Sequence, residues 1–454
     1  MTRKDAMTFS IDEAQSLLRK AEKQGATGGD IVVVIGDAFS TQVRLNTVEN
    51  ISNARGKRLG LRLMFGKRSA MTSTSDLSSS SLDKLLSDTC ALARIAAEDP
   101  FRGLPQPDEY AVKFPALNMK DPDIGALSID EKIDLAMRAE KAALEVDERL
   151  SNSDGGDFSH HQGSVLYVTS NGFTGTYQSC SASLSVVPIA TQDGRMQRDY
   201  WYSSKRRSGH LESPESIGRK AAQRTLRRLG GRTVSTQKVP IVFDAEVAGG
   251  LIGHLASAAS GYAIYKDASF LCNQLNQRIA SEAVTIYDDP TLPDALGSRP
   301  FDGEGLPSRK KMILEKGIFK SYLLDTYSGK KLGLPSTGNA VRGAGSPPSA
   351  GSSNFHLVPG KYTQDEIIRS VDSGFFVTEL IGFGINMVTG DYSRGATGIW
   401  IEKGELTYPV EEVTIAGNLK DMYREIEMVG NDLDIDRSTA APTLKISQMM
   451  VAGH

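Results

Sequence analysis

Val239-Pro-Ile-Val-Phe243-Asp244-Ala-Glu-Val-Ala-Gly249-Gly250-Leu-Ile-Gly-His254 changes character at one residue. Val239–Phe243 reads as a strand. Asp244 is a good N-cap, because its carboxylate can accept a hydrogen bond from a first-turn amide. A long helix of small residues to about Ser260 should follow. Only one side chain on it, His254, is of a type that ligates metals.

Upstream, Ser10-Ile-Asp-Glu13 and Ser128-Ile-Asp-Glu131 are capping boxes, each opening a helix, to Gly25 and to about Leu150. Four strand candidates follow the first: Asp30–Gly36, Phe39–Leu45, Arg58–Phe65 and Ser69–Thr74. A helix over Ser80–Ala97 comes next, then a Pro-rich connector over Asp99–Pro115. Four candidates also follow the second: Ser153–Ser159, Ser164–Thr169, Phe173–Val187 and Met196–Ser204. Ser213-Pro214 then starts a helix to about Leu229. The order helix, four strands, helix thus appears twice, a duplication of pattern.

We expect an α+β fold in two domains. Residues 1–232 form an N-terminal α+β region, with halves at about 10–98 and 126–230. Residues 235–454 form a C-terminal β-rich domain, a sandwich or barrel with one long helix packed on it. Leu314-Glu-Lys-Gly-Ile318 and Ile401-Glu-Lys-Gly-Glu405 read as hairpin turns. Asp325–Leu332, Gln364–Val371 and Asn418–Glu427 read as short helices. Gly338–Ser353, rich in glycine and poor in apolar anchors, reads as a mobile loop.

The chain has 454 residues, 39% hydrophobic and 24% charged, with a net charge of −3. That places it among soluble globular proteins, with no general attraction to nucleic acid or anionic lipid. No apolar run approaches the ~20 residues of a membrane span. The first residues, Met1–Phe9, lack the apolar segment of a secretory signal. Cys90, Cys180 and Cys272 lie far apart, so neither a disulfide framework nor a CxxC pair is present. A cytoplasmic location is the expectation.

A catalytic zinc needs about three protein ligands and an open position. The histidines are His160, His161, His210, His254, His356 and His454, and no HExxH or HxH occurs. No metal site is expected. Ser328-Gly-Lys-Lys331 fits SxxK without its usual companions. Gly60–Lys67 has the wrong spacing for a P-loop. Arg219, Lys220, Arg224, Arg227 and Arg228 make a basic patch, read as a solvated or protein-contacting face. Asp302, Glu304, Glu379 and Asp391 are carboxylates set among glycines, as a peptide channel or an ordinary tight hairpin would have them.

Four stretches together carry a resemblance: Gly250–Gly261, Leu296–Gly305, Tyr327–Ala340 and Thr378–Met422, the last containing Gly390-Asp-Tyr-Ser-Arg-Gly395. The chain resembles the TldD/PmbA family of bacterial peptidase subunits, once labelled modulators of DNA gyrase. The match is dense over about 240–434 and weaker but collinear before that. The resemblance implies two kinds of subunit. The TldD kind carries His-Glu-x-x-x-His on the long helix and a Cys near the C-terminus, which together bind zinc. The PmbA kind, also called TldE, lacks them. Here the motif's positions fall on Gly249, Gly250 and His254, and no Cys follows Gly430-Asn-Asp432.

The resemblance therefore implies a PmbA/TldE-type subunit without catalytic residues or a metal of its own. Zinc would sit in a TldD-type partner, and the complex would degrade or trim unfolded peptides in the cytoplasm. Asp391, Tyr392, Arg394 and Asn339 are the expected substrate contacts, and a homodimer is a further expectation. Two other readings stand beside this one. One is an independent hydrolase using Ser328 and Lys331. The other is a nucleic-acid-associated regulator acting through the basic patch, with nucleic acid the less expected partner.

Overall fold

The structure, a computed structural model, describes residues 9–453. The sequence readings of Met1–Thr8 and of His454 lie outside them. Helix α1 (Ile11–Lys23) opens on the expected capping box, in which the Glu13 amide donates to Ser10 Oγ at 3.2 Å and the Ser10 amide donates to Glu13 at 2.7 Å. Strands β1 (Gly28–Arg44), β2 (Thr47–Phe65) and β3 (Arg68–Thr74) and helix α2 (Ser79–Ile95) follow. The second run is α3 (Ile129–Leu144), β4 (Asn152–Thr169), β5 (Thr174–Gln192), β6 (Arg195–Arg198), β7 (Trp201–Lys205) and α4 (Pro214–Leu226).

The first run therefore has three strands, not four. Gly36-Asp37-Ala38 resembles a break in sequence, yet β1 passes straight through it, with Gly36 opposite both Gly56 of β2 and Gly163 of β4. Pairing on both edges satisfies the backbone there, so weak strand formers are tolerated. In the second run, likewise, two candidates merge into β4.

The seven strands form one sheet, in the order β3-β2-β1-β4-β5-β6, with β7 also on β5. One face is covered by the helices. Ile31 and Val33 of β1 pack with α1 and α2, while Phe39 and Val43 of the same face pack with α3 and α4. The alternation of Ser181, Ser183 and Ser185 with the buried Ala182, Leu184 and Val186 sets this orientation on β5. On the opposite face Val32 and Tyr167 pack against Phe301 and Ala344 from the C-terminal region.

The C-terminal region begins with β8 (Gln237–Phe243), α5 (Ala245–Ala258) and α6 (Gly261–Tyr265). Short elements follow: β9 (Ile286–Asp288), β10 (Lys311–Glu315), β11 (Ile318–Phe319), α7 (Thr326–Leu332), β12 (Ala340–Val341), β13 (Ser349–Ala350), β14 (Phe355–Leu357) and α8 (Gln364–Arg369). Then come β15 (Ser373–Ile385), β16 (Asp391–Glu402), β17 (Glu405–Asn418), α9 (Leu419–Arg424), β18 (Ile426–Val429), β19 (Thr439–Ala440) and β20 (Leu444–Ala452). Strands β17-β16-β15-β8-β20 are hydrogen-bonded in sequence, and β20 pairs back onto β17. The expected sandwich or barrel is thus a closed barrel, which protects its edges by pairing them. Both expected hairpin turns are present, with φ positive at Lys316-Gly317 and Lys403-Gly404, as the twist of a tight hairpin demands.

Gly338–Ser353, expected to be mobile, is anchored instead. Asn339 donates to Asp288 at 2.8 Å, β12 pairs with β13, and Ser353 donates to Asp288 through its amide and hydroxyl. Arg342 in the same loop donates to Asp30 of β1 at 2.6 Å. Asp30 also accepts from Arg62 and from the Tyr167 hydroxyl. Burial pushes the Asp30 carboxyl up, but the Arg342 and Arg62 guanidiniums outweigh it and hold it at about 2. This buried triad fastens the C-terminal loop to the N-terminal sheet.

Candidate functional site

Helix α5 is held at its start by two carboxylates. Asp244 accepts from the Glu246 amide at 3.2 Å, and Glu246 pairs with Arg437. Ala248, Leu251, Ile252 and Leu255 turn into the barrel core. The opposite face carries the three motif positions. A Cβ at Gly249 would stand 3.0 Å from the Thr439 carbonyl of β19, tight contact that glycine avoids. A Cβ at Gly250 would meet nothing within 4 Å, so the helix surface is open there.

His254 lies one turn after Gly250, edge-on to the Tyr392 ring at 6.1 Å between centroids. Burial, and then the nearby Arg394 charge, push its imidazole down to about 4. It is therefore neutral at pH 7. Tyr392 is 2% exposed, and burial raises its hydroxyl to about 12, with Arg394 opposing. Arg394 Nη2 donates to the Leu380 carbonyl at 3.2 Å. His254 Nε2, the Tyr392 hydroxyl and Arg394 Nε are all buried without a hydrogen-bond partner. Other buried polar atoms of the chain also lack a protein partner, but here three side chains in one place carry one each.

The structure thus brings together His254, Tyr392 and Arg394, three of the residues singled out in the sequence. Asp391 alternates to the other side of β16, where it accepts from Thr389 at 2.6 Å and Asn418 at 3.1 Å. Asn339 is elsewhere, its amide spent on Asp288 and on the Gly351 carbonyl at 2.9 Å. Asp302 and Glu304 are buried in a tight turn, where Asp302 accepts from the amides of Glu304, Leu306 and Ala340. Burial above all pushes the Glu304 carboxyl up to about 7, with Arg62 opposing and Asp302 and Asp325 adding to the rise.

The donor set around α5 does not fit a zinc ion. Two motif positions offer no side chain, and the remaining imidazole sits beside a guanidinium rather than a carboxylate. Among the described residues no group of three or more His, Cys, Asp or Glu is placed to hold a metal.

The residues of the two rival readings are largely engaged within the chain. Ser328 Oγ is occupied by the Asp325 N-cap carboxylate, while Lys331 lies 4.2 Å over the Phe101 ring, so the two do not act on one point. In the basic patch, Arg224 pairs with Asp199, Arg228 with Glu379 and Lys220 with Glu212. These three cations are engaged in ion pairs, while Arg219 stays exposed on α4.

Sequence reasoning missed a cavity of about 770 Å³ beside the first turn of α5. Trp201 and Tyr202 of β7 wall it on one side, and Asp244, Asp432 and Arg437 on the other. No local pattern announces it, because its walls, from Trp201 to Thr439, come from segments more than two hundred residues apart. No helix among the described residues is long and apolar enough to cross a membrane.

A closed barrel with a long buried helix and a polar sheet docked on it defines the domain set of one metallopeptidase family. Family models described as PmbA/TldA metallopeptidase domain 1, central domain and C-terminal domain match residues 29–93, 122–229 and 236–453. The chain belongs to this PmbA/TldD family. Metalloprotease PmbA of Escherichia coli O157:H7 is 36% identical over 450 residues, covering 99% of this chain and 98% of that one. A crystal structure from Bacteroides thetaiotaomicron, named as a candidate modulator of DNA gyrase, superposes with a TM-score of 0.91 at 30% identity, over 98% of this chain and 100% of that one. TldE from Thermococcus kodakarensis shares the fold, with a TM-score of 0.86 at 24% identity over 97% and 99% of the two chains.

Proposed function

We propose that this chain is the non-catalytic, PmbA/TldE-type subunit of a cytoplasmic zinc metallopeptidase that degrades or trims unfolded peptides. A TldD-type partner would supply the zinc and the general base. The observation that carries this reading is the α5 face, where Gly249 and Gly250 stand at the motif's ligand and base positions and His254 has a guanidinium for a neighbour. Without ligands and a proton acceptor, water activation on a metal has no support in this chain.

The substrate side of the proposal rests on β15. It pairs with β8 only through Phe375–Val377, so the edge beyond Val377 is not taken up by β8. A strand edge holds an extended peptide through main-chain hydrogen bonds, without demanding a particular sequence. Tyr392 and Arg394 are the side chains proposed to meet that peptide. The test is peptide cleavage and zinc content, measured for the chain alone and mixed with a TldD-type partner. We expect neither cleavage nor stoichiometric zinc alone, and both in the mixture. Zinc-dependent cleavage by the chain alone, lost in His254→Ala, would overturn the reading.

A further inference from the structure

Arg394 is half-buried and has no ion pair; Arg206 also lacks one, but it is saturated by the carbonyls of Cys180, Ala295, Leu296 and Ser298, and Arg227 and Arg299 likewise have unbonded guanidinium atoms. Arg62 and Arg342 share Asp30, Arg228 meets Glu379, and Arg437 meets Glu246. Arg394 donates to the Leu380 carbonyl, lies close enough to the Tyr392 hydroxyl to act on it, and leaves Nε unbonded. Beside it, the Tyr392 hydroxyl also lacks a partner on a side chain that is almost fully buried, and so does His254 Nε2. No carboxylate forms a hydrogen bond or ion pair with any of the three among the described residues. The group is therefore one fixed cation with neutral hydrogen-bonding atoms around it. The helix surface next to it, at Gly250, is open.

A half-buried cation without a counter-charge carries part of the desolvation cost, and that cost falls when an anion with two acceptor oxygens arrives. A guanidinium presents parallel N–H groups to a carboxylate, and a phenol can donate a further bond. We infer that Arg394, Tyr392 and His254 form a carboxylate-binding site, and that its ligand is the C-terminal carboxylate of a peptide. In this arrangement Arg394 would donate to the carboxylate, Tyr392 would donate through its hydroxyl, and neutral His254 would donate through Nε2–H. The inference rests on the peptide reading above and deepens it, because it says which end of the peptide this chain holds.

The test uses the full chain without any partner, and a fluorescein-labelled alanine pentapeptide as free acid and as C-terminal amide. Fluorescence anisotropy should show the acid bound about tenfold or more tightly than the amide. Arg394→Gln should erase that difference, Arg394→Lys should keep part of it, and Tyr392→Phe should reduce it severalfold. Circular dichroism of each variant checks that it is folded. Equal binding of acid and amide, no binding of either, or a preference that survives Arg394→Gln overturns the inference. Binding by this chain alone does not depend on zinc or on cleavage. Failure here therefore leaves the subunit reading standing, and failure of the cleavage assay leaves this preference measurable.

Discussion

Two buried polar groups, one at the α5 face and one at the Asp30 triad, are built on opposite plans. At the triad, two guanidiniums and a phenol converge on one carboxylate whose oxygens are both used, although Arg342 keeps Nε and Nη1 unbonded. At α5 an imidazole, a phenol and a guanidinium sit together with no carboxylate, and each keeps an unbonded atom. The first arrangement holds parts of the chain together. The second is held in place by the barrel and costs it stability, as residues kept for binding commonly do. The contrast separates polar groups that fasten this fold from polar groups that wait for something.

Breaking the carboxylate-centred group should give the largest effect. Asp30→Ala leaves Arg62 and Arg342 buried and unpaired, and should cost about 3–5 kcal/mol in urea unfolding. A loss below about 1 kcal/mol would show that the triad is not a fastening.

Next comes the pH dependence of the neighbouring acid. The folded Glu304 carboxyl is raised from 4.5 to about 7, so the folded state binds a proton more readily than the unfolded chain. Its stabilisation is full below about pH 4.5 and is lost as pH rises through about 7. The unfolding midpoint should therefore fall across that window, and Glu304→Gln should flatten the fall. A variant that tracks the wild type through the window would remove Glu304 as the cause.

At α5 the expected changes are smaller and of the other sign. His254→Phe removes an orphaned polar atom, and should leave stability unchanged or raise it by about 1 kcal/mol in a thermal melt. A loss of several kcal/mol would mean that the imidazole is satisfied in solution. The smallest effect concerns the glycines. Gly250→Ala should gain roughly 0.5–1 kcal/mol from helix propensity, since the added methyl meets open space. Gly249→Ala should gain less, because Thr439 must give way.

Local chemistry made much of the fold legible. Ser10 and Ser128 cap helices because a serine and a glutamate three residues on satisfy each other's amides. The turns at Lys316-Gly317 and Lys403-Gly404 follow from the need for positive φ. What was illegible depended on pairing across distance. Gly36 could be strand only because Gly56 and Gly163 flank it. Arg342 could anchor its glycine-rich loop only because Asp30 lies 312 residues away in sequence. The site shows the same division. Tyr392 and Arg394 share a face by simple alternation along β16, whereas the burial of Asn339 follows from Asp288, a partner no spacing reveals.

Barrel closure also sets an order of events during synthesis. Strand β20 lies between β8 and β17, and β8 is made some two hundred residues earlier. Until Leu444–Ala452 has left the ribosome, β8 and β17 each present an unpaired edge, and the core between them stands open to water. The N-terminal sheet has no such delay, since its last strand is complete by Lys205. The nascent chain should therefore pass through a stage with a finished sheet and an unsealed barrel, and in that interval it is most exposed to chaperones and to mispairing.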